Sequence, residues 1–281
     1  MGSILANLKI KSNLNLVKLT NKLTGHKINK KLKVMKTIIR DPKEIALQIA
    51  LAGLKIGAIK INFEEPFLWA SGTYNPFYND NRMFLKDPEH RKLIIEGFLV
   101  KLTNLGFEPK TSKIKFIAGT ATAGIPPATL LADVLGLSLI YIRDKPKNHG
   151  MKNRIEGIGG NEDLNKQEVL LIEDLISTGG SSASAVQAIR EAQGFIKHCF
   201  SIFNYELPEA KSVFAGKRPF GKSEKEVLSK KCHVHSLLTY NELVKIAYQH
   251  SFIKKADCKK LENWMSDREN WGDNNGWPRK N

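Results

Sequence analysis

The sequence predicts an α/β fold in which a central, mostly parallel sheet is flanked by helices. From Ile114 onward, short apolar segments alternate with helical segments of about ten to fifteen residues, and this order builds a parallel sheet. The apolar segments carry few polar residues, as expected of strands buried on both faces. Strands are expected at 114–118, 137–142, 169–172, 196–203 and 232–238.

Helices are expected before, between and after these strands. Asp41 and Asp87 each precede a proline, which places a capping residue before a first-turn proline, and the second of these helices should end near Gly106. Between them, the aromatic segment 67–78 contains Gly72 and predicts a hairpin or an extended lid. Further helices are expected at 124–135, 180–193, 240–250 and 257–266.

Most of the net charge of +16 lies in one terminal segment. Residues 1–40 carry nine lysines, one arginine and no acid, so the rest of the chain holds only the remaining +6. A nucleic-acid-binding protein more often spreads its basic residues along a structured face, so a nucleic-acid partner is not expected. The modest positive excess of the remaining chain suits an enzyme that binds phosphates.

The charge pattern also suggests how the chain is divided. Residues 1–40 are interpreted as a basic extension outside the fold, residues 41–272 as one enzyme domain, and residues 273–281 as a loose polar tail. The preferred interpretation of residues 1–34 is an extension ahead of a start at Met35. An organelle-targeting peptide is the alternative, although the segment is rich in lysine rather than arginine.

Composition excludes several classes of protein. No run of 18 apolar residues is present, so a membrane span is not expected, and no secretory leader is recognisable. Three widely spaced cysteines indicate reduced thiols in a cytoplasmic protein. The segment Cys232-His233-x-His235 is not expected to bind metal, because neighbouring side chains of a strand face opposite ways.

The segment from Val169 to Ser182 carries the strongest functional signal. A buried apolar strand is followed by two adjacent acids, Glu173 and Asp174, at the sheet edge where α/β proteins bind ligands. The small residues 177–181 then turn into a helix, and their backbone amides and hydroxyls suit a phosphate. Since the acids can accept hydrogen bonds from a diol or act on a metal-bound sugar, the segment predicts a ribose 5-phosphate site. A capped helix start alone would not need two adjacent acids.

A second signal lies just upstream. Arg143, Lys147 and His149 open a polar stretch, 144–167, that has almost no apolar pattern. A loop of this length without its own structure is usually functional or disordered. Its cationic groups suit a lid that closes over pyrophosphate, which arginine can bind bidentately. A solvated run of charge is the plainer interpretation, but the position just before the phosphate turn favours the lid.

These motifs resemble the type I phosphoribosyltransferase family. Segment 169–182 resembles the family's motif for 5-phosphoribosyl-1-diphosphate (PRPP), and Arg-x3-Lys-x-His-Gly followed by Ile-Glu-Gly is similar to the flexible loop of orotate phosphoribosyltransferases. Residues 67–82 look like that family's N-terminal hood, and residues 119–126 like its pyrophosphate loop. Many members carry a second lysine directly after the arginine, where this chain has Asp144 and then Lys145.

The resemblance covers roughly residues 41–272 and implies the type I phosphoribosyltransferase fold with an N-terminal hood. It implies the transfer of ribose 5-phosphate from PRPP to orotate, giving orotidine 5′-monophosphate in UMP synthesis, by a homodimer with shared active sites. It also implies that Glu173 and Asp174 contact the ribose hydroxyls and that residues 177–181 surround the 5′-phosphate. The residues expected to bind substrate are Arg143, Lys147, His149, Glu173, Asp174, Leu175, Ile176, Ser177, Thr178, Gly179, Gly180 and Ser181.

The expected chemistry is positioning and charge stabilisation. Lys147 and Asp174 are expected to be catalytic, Lys147 by stabilising the departing pyrophosphate and Asp174 by stabilising the positive ribose ring. Mg²⁺ is expected to be held mainly through PRPP, with no direct protein ligand. Two alternatives remain: a phosphoribosyltransferase for a purine or uracil, which would share the phosphate turn but not the loop or hood, and a PRPP-sensing regulator that binds nucleic acid through the basic N-terminus.

Overall fold

A computed structural model describes residues 41–69, 71–108, 111–145, 154–159, 162–216 and 231–280. The strands are β1 (Ile59–Ile61), β2 (Phe67–Leu68), β3 (Tyr74–Asn75), β4 (Phe77–Asn79), β5 (Ile114–Thr120), β6 (Ser138–Ile142), β7 (Ile155–Glu156), β8 (Glu168–Ile176), β9 (Phe195–Asn204) and β10 (His233–Thr239). The helices are α1 (Pro42–Ile56), α2 (Pro88–Asn104), α3 (Ile125–Leu135), α4 (Gly180–Glu191), α5 (Pro208–Phe214), α6 (Tyr240–Gln249), α7 (Lys255–Ser266) and α8 (Trp271–Asn274), with a 3₁₀ helix at Asn81–Lys86.

A six-stranded sheet in the order β10-β9-β8-β5-β6-β7 confirms the predicted α/β class. Its strands are parallel except β7, which is antiparallel to β6. One buried cluster joins helices α1–α3, α6 and α7 to one face of the sheet. A second cluster joins α4 and α5 to the other face. The sheet is therefore covered on both sides, which explains why its strands are continuously apolar.

Strand β8 is longer than predicted. It was expected to end at Ile172, before the two acids, but it continues to Ile176 because β9 runs alongside it as far as Asn204. Glu173 and Asp174 are therefore strand residues, and their side chains leave opposite faces of the sheet. This correction decides below which acid can meet a ligand.

The polar stretch 144–167 is not without structure, which corrects the second expectation. Strand β7 lies within it and pairs with the end of β6, Ile142 opposite Ile155. The pairing forms because Ile155 is only 3% exposed and packs in the core. A single buried residue gives no periodicity, so the sequence pattern could not reveal this strand.

The predicted helix starts are confirmed. The Asp41 and Asp87 side chains each accept a hydrogen bond from a first-turn amide of α1 and α2, at 2.9 and 2.8 Å. Gly106 follows the end of α2 with a φ of +74°. The short helix α5 was not predicted, because seven residues are too few to show a helical period.

The aromatic segment forms the expected hairpin, here called the hood (residues 67–82, of which Ala70 lies outside the described residues). Strands β2 and β3 pair antiparallel across a turn in which Gly72 has a φ of +80°. Strand β4 pairs with β1. The ring of Phe77 packs against that of Trp264 with centroids 5.6 Å apart, so the hood is tied to helix α7.

The C-terminal residues were expected to form a loose tail, but they pack against the hood. Trp264 is fully buried and its Nε1 donates to Asn75 Oδ1 at 2.8 Å. Further along, the ring of Trp277 lies 5.5 Å from that of Tyr74, and the Lys280 amide donates to the Gly72 carbonyl at 2.9 Å. The tryptophans dock the C-terminal end on the hood, and these contacts are between residues too distant in sequence for a local pattern to show.

The three cysteines are free thiols; Cys199 and Cys232 are buried and Cys258 is partly exposed. None of the helices in the described part of the chain has the length and apolar character needed to cross a bilayer.

A histidine cluster lies where β9 and β10 pair. His198 Nδ1 and His235 Nε2 are 3.1 Å apart, and His233 lies beside His198. Burial lowers the pKa of both His198 and His235, that of His235 to about 4. The remaining charges that face the pair are Lys101 and Lys197, which lower these pKa values further, and Glu168, which opposes the shift at His198.

We expect this cluster to make the fold sensitive to acid. The unfolded chain binds protons at these histidines near pH 6.5 whereas the folded chain resists them, so stability is lost as the pH falls from about 6.5 towards 4. Urea unfolding at pH 7.5 and pH 5 should show a loss of about 1 kcal/mol from His235, after allowing for its partial exposure to solvent. His235→Gln should reduce that loss, and the control His250→Gln, at an exposed histidine, should not. Equal losses in both variants would contradict the assignment.

Candidate active site

The carboxylate of Glu173 joins three segments at the edge of the sheet. Its Oε1 accepts hydrogen bonds from Thr120 Oγ1 at 2.6 Å and from the Asp174 amide at 3.0 Å, and its Oε2 accepts one from Ser182 Oγ at 2.9 Å. Only 5% of Glu173 is exposed. Burial raises the pKa of Glu173, while the hydroxyls of Thr120 and Ser182 oppose the rise. Both oxygens thus accept hydrogen bonds from within the protein, and the expected contact of Glu173 with a ribose hydroxyl stays a prediction.

Asp174 is the accessible acid of the pair. It is partly exposed, and the Asn81 side-chain amide donates to its backbone carbonyl at 2.7 Å. Burial raises the pKa of Asp174, and the positive charge of Arg82 opposes the rise. Arg82 itself is held by Asp80, with Nε 2.7 Å from Oδ1. The base of the hood therefore lies directly beside Asp174.

The turn after β8 has the geometry of an anion site. Gly179 precedes α4 with a φ of +83°, a conformation that favours glycine, and it provides no side-chain cap for the helix. A β-carbon on Gly179 would lie 3.1 Å from the Phe214 ring, so α5 packs closely against the turn. The first turn of α4 is therefore free of a side-chain cap and can donate amides to a phosphate. Thr178 and Ser181 are exposed, and Ser177 and Gly180 are partly exposed.

Two of the expected binding residues have side chains that pack against the core. Ile176 is 1% exposed, packs in the second core cluster, and its carbonyl accepts from the Tyr205 amide at 2.9 Å. Leu175 packs partly buried against the first cluster. Their side chains are anchors that hold the turn on the sheet.

The expected pyrophosphate loop, residues 119–126, packs closely against β8. A β-carbon on Gly124 would lie 2.6 Å from the Ile172 carbonyl, and one on Gly119 would lie 2.8 Å from the Gly124 carbonyl. Both positions therefore require glycine. The loop ends at α3, whose N-cap Gly124 also provides no side-chain cap, so a second helix N-terminus follows this loop.

Only the base of the expected lid is described. Arg143 follows β6, and its Nη1 lies 3.4 Å from Glu156 Oε1 on β7. Arg154 bridges the two strands to α4: its Nε donates to the Arg143 carbonyl at 3.0 Å and its Nη2 to Ser184 Oγ at 3.0 Å. Lys147 and His149 lie outside the described residues.

Several residues that shape the site were not singled out from the sequence. They are Thr120, Asn81, Arg82, Arg154 and Ser182. Ser182 carried a usable signal, because it follows the phosphate turn within the first turn of α4. Thr120, Asn81 and Arg82 lie in segments that the family resemblance indicated, but their individual contacts join parts of the chain that are far apart in sequence, which no local pattern can indicate.

Comparison with individual known proteins identifies the family, whereas no family model matches the chain. An orotate phosphoribosyltransferase from Enterococcus faecalis is 38% identical over 229 residues, which is 82% of this chain and 99% of the relative. The chain belongs to the orotate phosphoribosyltransferase family. Orotate phosphoribosyltransferases from Coxiella burnetii and Cytophaga hutchinsonii agree, with 37% and 38% identity over 80% of this chain and 98% and 97% of their own.

Solved structures of other orotate phosphoribosyltransferases share the fold. The enzyme from Aeropyrum pernix matches with a TM-score of 0.53 at 20% identity, over 73% of this chain and 99% of its own. That from Mycobacterium tuberculosis, in complex with inorganic phosphate, matches with a TM-score of 0.51 at 18% identity, over 71% and 98%. The predicted type I phosphoribosyltransferase fold is thereby confirmed.

The bond from Thr120 to Glu173 gives a testable prediction. Thr120→Val keeps the shape of the side chain but removes a donor from a buried carboxylate, so we expect a loss of about 2 kcal/mol in the free energy of unfolding. Urea denaturation measures this loss. Thr129→Val, which removes a hydroxyl bonded to the Ile125 carbonyl on exposed α3, is the matched control and should cost less than about 0.5 kcal/mol. Similar losses in both variants would show that the Glu173 bond contributes little.

Proposed function

We propose that this chain transfers the ribose 5-phosphate of PRPP to orotate, releasing pyrophosphate and forming orotidine 5′-monophosphate for UMP synthesis. The observation that carries the proposal is the juxtaposition of an accessible carboxylate and an uncapped helix N-terminus at two ends of one turn. Asp174 lies on β8, two residues before the strand ends and the turn begins, and Gly180 starts α4 at the end of the turn. A ribose 5-phosphate needs an acceptor for its diol and donors for its phosphate on neighbouring segments, and family membership indicates the base.

The 5′-phosphate is proposed to lie in the turn 177–181. Exposed hydroxyls of Thr178 and Ser181 and the amides at the start of α4 donate to its oxygens. Asp174 accepts from a ribose hydroxyl and stabilises the positive charge that develops on the ring as the bond to pyrophosphate lengthens. Glu173 supports the ribose site from behind, because it fixes Thr120 and Ser182 on either side.

Pyrophosphate is proposed to leave between the loop 119–124 and the lid. Arg143, Lys147 and His149 supply positive charge, and in a homodimer with shared sites the lid of one subunit serves its neighbour. The described residues contain no group of three or more acids, histidines or cysteines that could hold a metal ion. They fit Mg²⁺ that arrives on the diphosphate, with Asp174 as the accessible carboxylate nearby. Bound there, Mg²⁺ neutralises the leaving group. We place the enzyme in the cytoplasm.

Loss of the near-ultraviolet absorbance of orotate tests the proposal. The purified chain, mixed with PRPP, Mg²⁺ and orotate, should bleach the orotate band, and added pyrophosphate should restore it. Turnover of uracil or a purine instead of orotate would overturn the base assignment. Binding of PRPP without turnover of any base would favour a regulator, for which salt-sensitive nucleic-acid binding is the further sign.

A variant in the lid tests the catalytic role of Lys147 directly. Lys147→Ala should lower kcat by about 100-fold, because one charge that stabilises the leaving group is removed, and should leave the melting temperature unchanged. Lys145→Ala is the informative partner, since Lys145 stands beside Asp144, where many family members have lysine. A comparable kcat loss in Lys145→Ala would show that Lys145 takes over that lysine's role. If Lys147→Ala lowers stability as much as kcat, its catalytic role is refuted.

A further inference from the structure

The C-terminal strap, defined as residues 271–280, covers the tip of the hood. The Lys280 amide donates to the Gly72 carbonyl at 2.9 Å, at the turn between β2 and β3. On β3, the Tyr74 ring lies 5.5 Å from the Trp277 ring, and the Lys280 ammonium lies 5.7 Å from the Tyr74 ring centroid. A β-carbon on Gly272 would lie 3.0 Å from the Tyr74 carbonyl, so α8 also packs directly on this strand.

The strap has internal bonds that give it a defined shape. The Trp277 amide donates to the Gly272 carbonyl at 2.8 Å, and the Arg279 amide donates to Asp273 Oδ1 at 2.8 Å. The Arg279 guanidinium reaches back to the Glu269 carbonyl at 3.0 Å. Because these bonds bring residues 276–280 back over α8, the strap meets the hood as a preformed surface.

The other end of the hood reaches the reaction site. Asn81, at the base of the hood, is 3% exposed and donates to the Asp174 carbonyl at 2.7 Å. The hood is therefore attached at its base to the backbone of Asp174, at its middle to helix α7 through Asn75 and Phe77, and at its tip to the strap. A two-stranded hairpin is only marginally stable by itself, so its position depends on such attachments.

We propose that the strap, through Trp277 and the backbone of Lys280, is a positioning element for the base substrate: it holds the hood in the place where the hood closes over orotate. This inference rests on the proposed function and takes the hood, whose base lies beside Asp174, as the element that covers the pyrimidine. Without the strap the hood moves away from the site, and the enzyme must order it again each time the base binds. PRPP is held at β8, α4 and the loop 119–124, which the strap does not contact, so its affinity stays the same.

The test compares Trp277→Ala with Trp277→Phe. Trp277→Ala should raise the KM for orotate about five- to tenfold, the equivalent of one lost aromatic pair, and leave the KM for PRPP within about twofold. Trp277→Phe keeps a ring against Tyr74 and should restore most of the orotate KM. An unchanged orotate KM in Trp277→Ala, or equal rises in both KM values, would refute the positioning role.

A second pair of variants approaches the same contact from the hood. A β-carbon on Gly72 would collide with the Lys280 carbonyl, so Gly72→Ala should displace the strap and raise the orotate KM as Trp277→Ala does. Gly72→Ala also introduces a side chain at positive φ. Gly106→Ala carries the same backbone cost, with a φ of +74° and nothing within 4 Å, and should leave the orotate KM unchanged. A rise of the same size in Gly106→Ala would attribute the effect to general destabilisation and reject the proposal.

Hydrogen exchange separates failure of this inference from failure of the proposed function. Peptides from residues 67–82 should exchange faster in Trp277→Ala than in the wild type, whereas peptides from β8 should not change. This measurement requires no turnover. If the wild type fails to consume orotate, the proposed function is refuted. If hydrogen exchange in the hood is the same in Trp277→Ala as in the wild type, the positioning role of the strap is refuted, whether or not the enzyme consumes orotate.

Discussion

The hydrogen bonds around the Glu173 carboxylate are the constraint on which the site depends. A buried carboxylate is costly unless its oxygens are satisfied, and here the donors come from the end of β5, from β8 itself and from the first turn of α4. These segments carry the proposed pyrophosphate loop, ribose site and phosphate turn. Moving any of them would leave the carboxylate short of a partner, so the three subsites are held in one geometry by one side chain.

The alternation of side chains along β8 places the two acids in different environments. Since the strand extends through both of them, Glu173 points into the protein while Asp174 keeps access to a ligand. Burial raises the pKa of each, but only Asp174 has a nearby guanidinium, that of Arg82, to oppose the rise. Asp174 is therefore the acid proposed to meet the ribose, and the buried Glu173 holds the surrounding segments together.

The sequence predicts best what is determined locally. The run from Val169 to Ser182 encodes a buried strand, a turn and a helix start, and all three are present; glycine at 179 is required by its φ and by its contact with α5. Contacts between distant residues escape such analysis. Strand β7 depends on one buried isoleucine, and the strap meets a hood that lies about two hundred residues earlier in the chain. The polar composition of residues 273–281 suggested a loose end because its two bonding partners, Gly72 and Tyr74, are not neighbours in sequence.

The two parts of the proposed site, the ribose 5-phosphate site and the hood, are held in place in different ways. The proposed ribose 5-phosphate site is built on a central strand of a sheet that is covered on both faces, so the core sets its geometry. The hood is built from strands of two or three residues and depends on contacts outside itself: Asn81 at its base, Phe77 against Trp264, and the strap at its tip. Phe77 and Asn75 are buried, so the middle of the hood belongs to the core, whereas its tip is held by the strap through contacts worth about 1 kcal/mol each. The proposed PRPP site therefore depends on the core alone, while the tip of the hood depends on a segment at the far end of the chain.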